Sequence, residues 1–160
     1  MKKTIMVCVL VVCSVFALSA AAYDRSDGFG LGLSAGYPTA GAAFKYGIGD
    51  FRVIGLLGYS FDKNIVIEAG VQYDLSRFNV ERTPFYFNVG LTAAMYFRND
   101  LDGLSINIPI GISYFLMDVP MELFFKLTPG IRIHSASVEP NLGAALGLLF
   151  YVNRKPARTV

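Results

Sequence analysis

Strict alternation of apolar with small or polar residues runs along most of this 160-residue chain and constrains its fold more than any other feature. In the clearest segment, from Leu104 to Tyr114, every second side chain is aliphatic or aromatic, and Ser, Asn, Pro and Gly occupy the positions between. Successive side chains point to opposite faces of a β-strand, whereas a helix repeats every 3.6 residues. The segment is therefore predicted to be a strand with one apolar face.

The same period of two recurs in seven further segments, so the sequence predicts eight strands. They cover residues 29–37, 40–46, 51–61, 65–74, 85–98, 104–114, 121–134 and 141–152. Turn-forming residues separate them, and the longest connections are predicted at 75–84 and 135–140. Connections this short join antiparallel neighbours. The fold class is therefore predicted to be all-β, with one antiparallel, up-and-down sheet.

The N-terminus has the pattern of a secretory signal peptide. Lys2 and Lys3 precede an apolar stretch over residues 5–18, and small residues follow up to Ala22. We expect cleavage after Ala22, which removes both cysteines, Cys8 and Cys13. The predicted domains are a signal peptide over residues 1–22, a barrel over 23–152 and a basic C-terminal tail over 153–160.

The composition of the less apolar face indicates what each face contacts. Only 16% of the residues are charged, whereas a soluble domain has about a quarter. The less apolar face consists mostly of Gly, Ala, Ser, Asn and Thr, which suit a narrow lumen better than a surface in water. The apolar faces are long enough to cross hydrocarbon, and strands in hydrocarbon must close into a barrel. We therefore expect a closed, antiparallel, eight-stranded transmembrane β-barrel in the outer membrane of a two-membraned bacterium.

Aromatic residues on the apolar faces gather near the predicted strand ends. Because successive strands alternate in direction, these residues divide into two levels, as the interfacial girdles of membrane barrels do. The predicted girdle residues are Phe29, Tyr37, Tyr46, Phe51, Phe61, Tyr73, Phe85, Phe97, Tyr114 and Phe150.

Eight charged residues fall on the predicted lumenal face. Side chains fill the interior of an eight-stranded barrel, so we expect opposite charges there to pair and to plug the lumen. Charged residues within a membrane also raise the hypothesis of an ion or proton path, which is the alternative for this set. The residues are Lys45, Arg52, Glu68, Asp74, Arg98, Glu122, Lys126 and Arg132.

The signal peptide, the eight alternating strands and the terminal segment 141–148 together resemble the small outer-membrane barrels typified by the OmpA transmembrane domain and OmpX. Residues 141–148 (NLGAALGL) fit that family's assembly signal of the form polar-x-Gly-x-x-apolar-x-apolar. The resemblance implies a structural, membrane-integrity or surface-antigen role without catalysis. It also implies outer-membrane lipids and the barrel-assembly machinery as partners, and an extracellular or host ligand for a surface-interaction role.

Other functions are predicted to be absent or remain as alternatives. Without Lys2 and Lys3, residues 23–160 hold twelve basic and twelve acidic side chains, so no nucleic-acid partner is expected. No metal-ligand spacing or cofactor motif occurs, and neither group is expected. A narrow pore is the first alternative. A lipid hydrolase similar to the outer-membrane lipid A deacylases is the second, with His134, Ser137 (or Ser135) and Glu139 as a catalytic group.

Overall fold

The computed structural model describes residues 28–80, 83–116, 119–134 and 137–152. The predicted signal peptide and basic tail lie outside the described residues. Nine strands are formed: β1 (Gly28–Tyr37), β2 (Thr39–Ile48), β3 (Phe51–Ser60), β4 (Ile65–Val80), β5 (Thr83–Phe97), β6 (Leu101–Asn107), β7 (Ile110–Phe115), β8 (Met121–His134) and β9 (Ser137–Tyr151). In this part of the chain, no helix is long and apolar enough to cross a lipid bilayer.

These nine strands form a closed barrel with eight strand positions around its wall, which we call staves. Strands β6 and β7 follow one another along the same stave, because both pair with β5 on one side and with β8 on the other. Each stave is antiparallel to its neighbours in sequence, and β1 pairs with β9, from Gly30↔Tyr151 to Tyr37↔Ala144, to close the sheet. The predicted all-β fold and the closed, eight-stranded antiparallel barrel are confirmed.

The break between β6 and β7 falls at Ile108 and Pro109. Proline has no N–H to donate to a ladder, so the regular pairing stops there. Other backbone groups bridge the gap: Gly90 N donates to Pro109 O at 2.8 Å, and Ile108 N donates to Pro129 O at 2.8 Å. The stave therefore keeps its place between β5 and β8 despite the interruption.

Two predicted connections are shorter in the structure than in the sequence analysis. Strand β4 continues to Val80 and β5 begins at Thr83, although residues 75–84 were predicted to be a connection. A register shift between Asp74 and Ser76 explains the difference. One extra residue in a strand moves the side chains that follow it to the opposite face, so the alternation in the sequence is interrupted there.

The second difference concerns residues 135–140. Strand β9 begins at Ser137, and Glu139 and Pro140 pair with Arg132 and Ile131 of β8. Here β9 extends beyond Tyr37, the last residue of β1 that pairs with it. Proline is tolerated on such a free edge, where its missing N–H faces no neighbouring strand, so Pro140 does not mark a turn.

The two faces of the barrel have opposite chemistry. Large apolar side chains point outward around the whole barrel, including Leu33 (70% exposed), Leu57, Leu91, Ile106 and Leu146. The inner face carries small, polar and charged side chains, together with buried aromatic and aliphatic ones such as Tyr86, Phe124 and Leu149. This is the orientation that the alternating pattern predicted.

Glycines on the inner face make room for aromatic rings. A Cβ atom at Gly147 would lie 2.2 Å from Cζ of Phe124, and one at Gly30 would lie 2.9 Å from Cζ of Tyr151. Phe124 and Tyr151 are 6% and 2% exposed. The interior is thus filled by rings that pack against glycine backbone rather than left as an open bore.

Candidate functional site in the barrel interior

The charged interior is the candidate functional site, and its groups are arranged in layers along the barrel axis. We call the end where the described chain enters at Gly28 and leaves at Val152 the proximal end. The opposite end, which carries the β1–β2 turn at Pro38 and the β3–β4 turn at residues 61–64, is the distal end.

A buried cluster around Glu122 lies near the proximal end. Lys45 Nζ lies 2.6 Å from Glu122 Oε1, and Ser113 Oγ donates to the same oxygen at 2.6 Å. The Tyr151 hydroxyl donates to Glu122 Oε2. Both carboxylate oxygens of a residue that is 0% exposed are therefore satisfied, as a buried charge requires.

Arg52 and Asp74 form a second buried ion pair in the same layer. Arg52 Nε and Nη2 each lie 2.9 Å from Asp74 Oδ2. The Arg52 guanidinium also lies over the Phe115 ring, with Cζ 5.3 Å from the centroid, and Lys45 Nζ lies 4.7 Å from the centroid of Phe124. Two cations, two carboxylates and the aromatic rings together close the proximal half of the lumen.

The middle of the lumen holds a looser ion pair. Lys126 Nζ lies 3.4 Å from Glu68 Oε1, and the side chains are 16% and 12% exposed. Because this pair is longer and less buried than Lys45–Glu122, it contributes less attraction and is better screened by solvent.

Arg132 organises the distal end. Its Nη1 lies 3.3 Å from Asp62 Oδ2 and its Nη2 lies 3.9 Å from Asp102 Oδ2, while its Cζ lies 3.8 Å from the Tyr96 ring centroid. Asn64 Nδ2 donates to Asp102 Oδ2 at 3.1 Å. One strand residue of β8 thus ties together the turn after β3 and the first residues of β6.

Seven of the eight predicted lumenal charges lie on the inner face of a strand, but Arg98 does not. It follows Phe97, the last residue of β5, and is exposed at the distal rim, where it donates to the backbone oxygen of Asp62. The prediction extended the alternation of β5 one residue into the turn that follows it.

Sequence reasoning missed Tyr151 in the interior and two carboxylates at the distal rim, Asp62 and Asp102, whose side chains are 57% and 45% exposed. The inward position of Tyr151 could have been predicted from the alternation of side chains along a strand, because its neighbour Phe150 was predicted to face outward. Asp62 and Asp102 could not, since Asp62 lies in a turn and Asp102 lies in a part of β6 that was predicted to be a connection. Only the closed sheet brings these two carboxylates to Arg132.

The three catalytic candidates lie together at the distal rim. His134 pairs with Ser137 across the β8–β9 ladder, and His134 Nδ1 lies 3.2 Å from the backbone oxygen of Asp102. Ser137 Oγ donates to Glu139 Oε1 at 3.2 Å. A hydrolytic triad has serine donating to histidine and histidine donating to the carboxylate, so these contacts run in a different order.

The predicted girdle residues lie on the outside of the barrel near its two ends. Phe51 contacts Tyr73 with centroids 4.9 Å apart, and Phe85 contacts Tyr114 at 5.4 Å, both toward the proximal end. Phe29, Tyr46 and Phe150 lie at the same end. The distal members are Tyr37, Phe61 and Phe97, and the rings of Tyr37 and Phe61 stack at 6.2 Å.

Among the residues that the structure describes, no three His, Cys, Asp or Glu side chains are grouped so that they could hold a metal ion. Comparison with known protein families, curated proteins and solved structures finds no match to this chain.

Proposed function

We propose that this chain is a small integral outer-membrane barrel of the OmpA and OmpX type, with a structural, membrane-integrity or surface-interaction role and no catalytic activity. The observation that carries the proposal is the outward apolar surface, which encircles the barrel between the two aromatic levels. The largest apolar patch on a soluble monomer is about 300–600 Å², whereas here large apolar side chains are exposed on every strand around the barrel. Such a surface is suited to contact with lipid.

The distribution of charge supports the same proposal. On β1, the outward side chains between Phe29 and Tyr37 are Leu31, Leu33 and Ala35, none of them charged. Among the residues that the structure describes, ionised side chains lie inside the barrel as ion pairs or at its ends, which is where a membrane protein tolerates them. A water-soluble barrel has the opposite arrangement, with aliphatic residues inside and charges outside.

The filled interior supports a structural role over the narrow pore. Glu122, Arg52 and Tyr151 are at most 2% exposed and occupy the same layer as two aromatic rings. An eight-stranded barrel is only wide enough for its own side chains to fill. Ions would therefore have to displace the Lys45–Glu122 and Arg52–Asp74 pairs in order to pass.

The membrane assignment is tested by electrophoresis with and without boiling, and by flotation with phospholipid vesicles. We expect the unboiled protein to migrate differently from the boiled protein and to remain with the vesicles after washing at high pH, with the boiled sample as the control. A monomer that stays folded and soluble in buffer without detergent would overturn the proposal.

Topology is tested with epitope tags at the two ends of the barrel. A tag inserted after Lys63, in the distal β3–β4 turn, should bind antibody on intact cells. A tag after Val160 should bind only when the outer membrane is opened. The reverse labelling would contradict an outward-facing distal end, although the barrel would still be embedded.

A further inference from the structure

The backbone pairing between the β6–β7 stave and β8 is interrupted near the middle of the barrel wall. Four residue pairs join β6 to β8, and six join β7 to β8. Between the two runs, residues 108–109 lie opposite residues 128–129 without regular pairing. We call this break the seam. By comparison, β1 and β9 are paired continuously over eight positions where they close the barrel.

A proline on each side of the seam limits the hydrogen bonds that stabilise it. Ile108 N donates to Pro129 O at 2.8 Å, and Gly90 N of β5 donates to Pro109 O at 2.8 Å. Two facing residues of an antiparallel pair can exchange two bonds, but proline has no N–H, so the return bonds to Ile108 O and Gly90 O cannot form. Because unpaired backbone groups are costly in hydrocarbon, the closed wall is less stable here than where the pairing is complete.

Glycines lie on the inner face of the barrel beside the seam, so little side chain covers the backbone there. A Cβ at Gly90 would lie 3.1 Å from Cγ of Pro109. A side-chain hydrogen bond passes over Gly130, from Asn141 Nδ2 of β9 to Asn107 Oδ1 of β6, at 2.7 Å. These three residues lie in one row across the strands, and a Cβ at Gly130 would lie 2.3 Å from Asn107 Oδ1. We call this bond the clasp, because it ties together the strands on either side of β8.

We propose that the seam is a lateral gate: the wall opens there before it opens elsewhere, and the clasp holds it closed. The ion pairs of the proximal layer block the lumen lengthwise, whereas an opening at the seam joins the lumen sideways to the surrounding bilayer. The seam itself is a property of the closed sheet, and its opening toward lipid rests on the proposed function.

Amide hydrogen exchange tests the seam directly, because the N–H of Ile108 bonds across it. Pro129→Ala supplies the missing donor opposite Ile108 O. In the folded barrel in detergent micelles, we expect the Ile108 amide to exchange about 10-fold more slowly in this variant than in the parent, as one added hydrogen bond predicts. Unchanged exchange of Ile108 would overturn the proposal.

Pro140→Ala is the matched control. Pro140 lies on the free edge of β9, beyond the last residue of β1 that pairs with it, so an added N–H there meets no neighbouring strand and Ile108 should exchange as in the parent. In the parent, Ile108 should also exchange faster than residues 31–35 of β1, which face β9 at the closure of the barrel. Slower exchange of all amides alike in Pro129→Ala would mean that Ile108 exchanges only when the whole barrel unfolds, which contradicts a local gate.

The clasp is tested by Asn141→Ala, which removes the donor to Asn107 Oδ1. We expect Ile108 to exchange about 10-fold faster in this variant. The control is Asn88→Ala, because Asn88 is a buried asparagine (4% exposed) whose Nδ2 donates to Ser113 of β7 and does not cross the seam. Equal effects of the two variants on Ile108 would overturn the role of the clasp.

A thiol reagent added to vesicles tests the sideways route. Thr128 lies at the seam, and Ser34 lies on β1 away from it; the two are 8% and 2% exposed. Each is changed to cysteine in a Cys8→Ala, Cys13→Ala background and treated with N-ethylmaleimide, which is small and uncharged. Adding Pro129→Ala should slow the reaction of Thr128→Cys about 10-fold, as it slows opening of the seam, and should leave that of Ser34→Cys unchanged.

Equal effects of Pro129→Ala on the two thiols would overturn the lateral route. A chain that fails to float with vesicles would instead count against the proposed function. In that case exchange of Ile108 in the folded protein would still decide whether the seam opens first.

Discussion

Lys45 and Glu122 are 77 positions apart in the chain, yet Nζ of the lysine lies 2.6 Å from Oε1 of the glutamate across the barrel interior. The two side chains are 7% and 1% exposed. The neighbouring Arg52–Asp74 pair is buried still more completely, with both side chains 1% exposed.

Removing the charge of Glu122 should strongly destabilise the barrel. The Glu122→Ala change leaves Lys45 buried without its counter-charge and removes the acceptor of Ser113 and Tyr151. Breaking a buried pair on one side costs about 3–5 kcal/mol. The measurement is the free energy of unfolding by urea in detergent micelles or vesicles.

The matched control is Glu68→Ala, which removes a carboxylate from the longer, less buried pair with Lys126. We expect a smaller loss than at Glu122, because the Lys126–Glu68 contact measures 3.4 Å rather than 2.6 Å and its side chains are less buried. The double change Lys45→Met, Glu122→Leu should recover much of the lost stability, because neither charge then remains buried. Equal losses at Glu122 and Glu68 would contradict the layered description of the interior.

A charge on the outside of the barrel tests its contact with lipid. Leu33 lies midway between Phe29 and Tyr37 on β1 and is 70% exposed. If the barrel spans a bilayer, Leu33→Lys should cost about 2–4 kcal/mol of folding free energy in vesicles. The measurement is urea unfolding in phospholipid vesicles.

Val138, near the distal start of β9, is 65% exposed and serves as the control. Near the membrane interface Val138→Lys should cost about 0–1 kcal/mol. Since the two positions are nearly equally exposed, a difference between them reports depth in the bilayer. If both variants were as stable as the parent, lipid contact at Leu33 would be ruled out.

The contact between Gly147 and Phe124 should tolerate no side chain. A Cβ at Gly147 would collide with the Phe124 ring, at 2.2 Å from Cζ. We expect Gly147→Ala to destabilise the barrel by about 1–3 kcal/mol through overpacking. Combining it with Phe124→Leu should recover part of the loss, and additive losses in thermal unfolding would argue against this contact.

Conductance distinguishes the filled lumen from a pore. The parent protein in planar bilayers should show no steady openings, because two ion pairs and the aromatic rings occupy the proximal layer. The same recordings on Glu68→Ala should also be silent, since that change leaves the proximal pairs intact. Steady, ion-selective openings of the parent would favour the narrow pore.

Lipid hydrolysis should be absent and should not depend on His134. The contacts of His134 and Ser137 do not connect serine to histidine in the order of a triad. The parent, His134→Ala and Ser137→Ala should therefore release the same background amount of fatty acid from lipid A and from phospholipid. Product that forms with the parent and disappears in both variants would establish the hydrolase.

The number of strand positions around the barrel and the direction of most side chains follow from the local pattern of residues. Alternation is a local property, because consecutive residues of an extended chain point to opposite faces whatever the rest of the chain does. The inward positions of Lys45 and Glu122, and the outward position of Leu33, follow from this alternation alone. The alternation fails as a guide where the backbone leaves the regular strand, at the register shift between Asp74 and Ser76 and at Arg98.

Which charges meet depends on how distant strands are aligned with one another in the closed barrel. The alternation of side chains places four charged residues inside the barrel: Lys45, Lys126, Glu68 and Glu122. It does not give their depth along the barrel axis, so it does not distinguish a Lys45–Glu68 pair from the observed Lys45–Glu122 pair. Depth depends on the register of every stave and on the closure of β1 against β9. Register is a relation between distant segments, and for that reason it is absent from any local pattern.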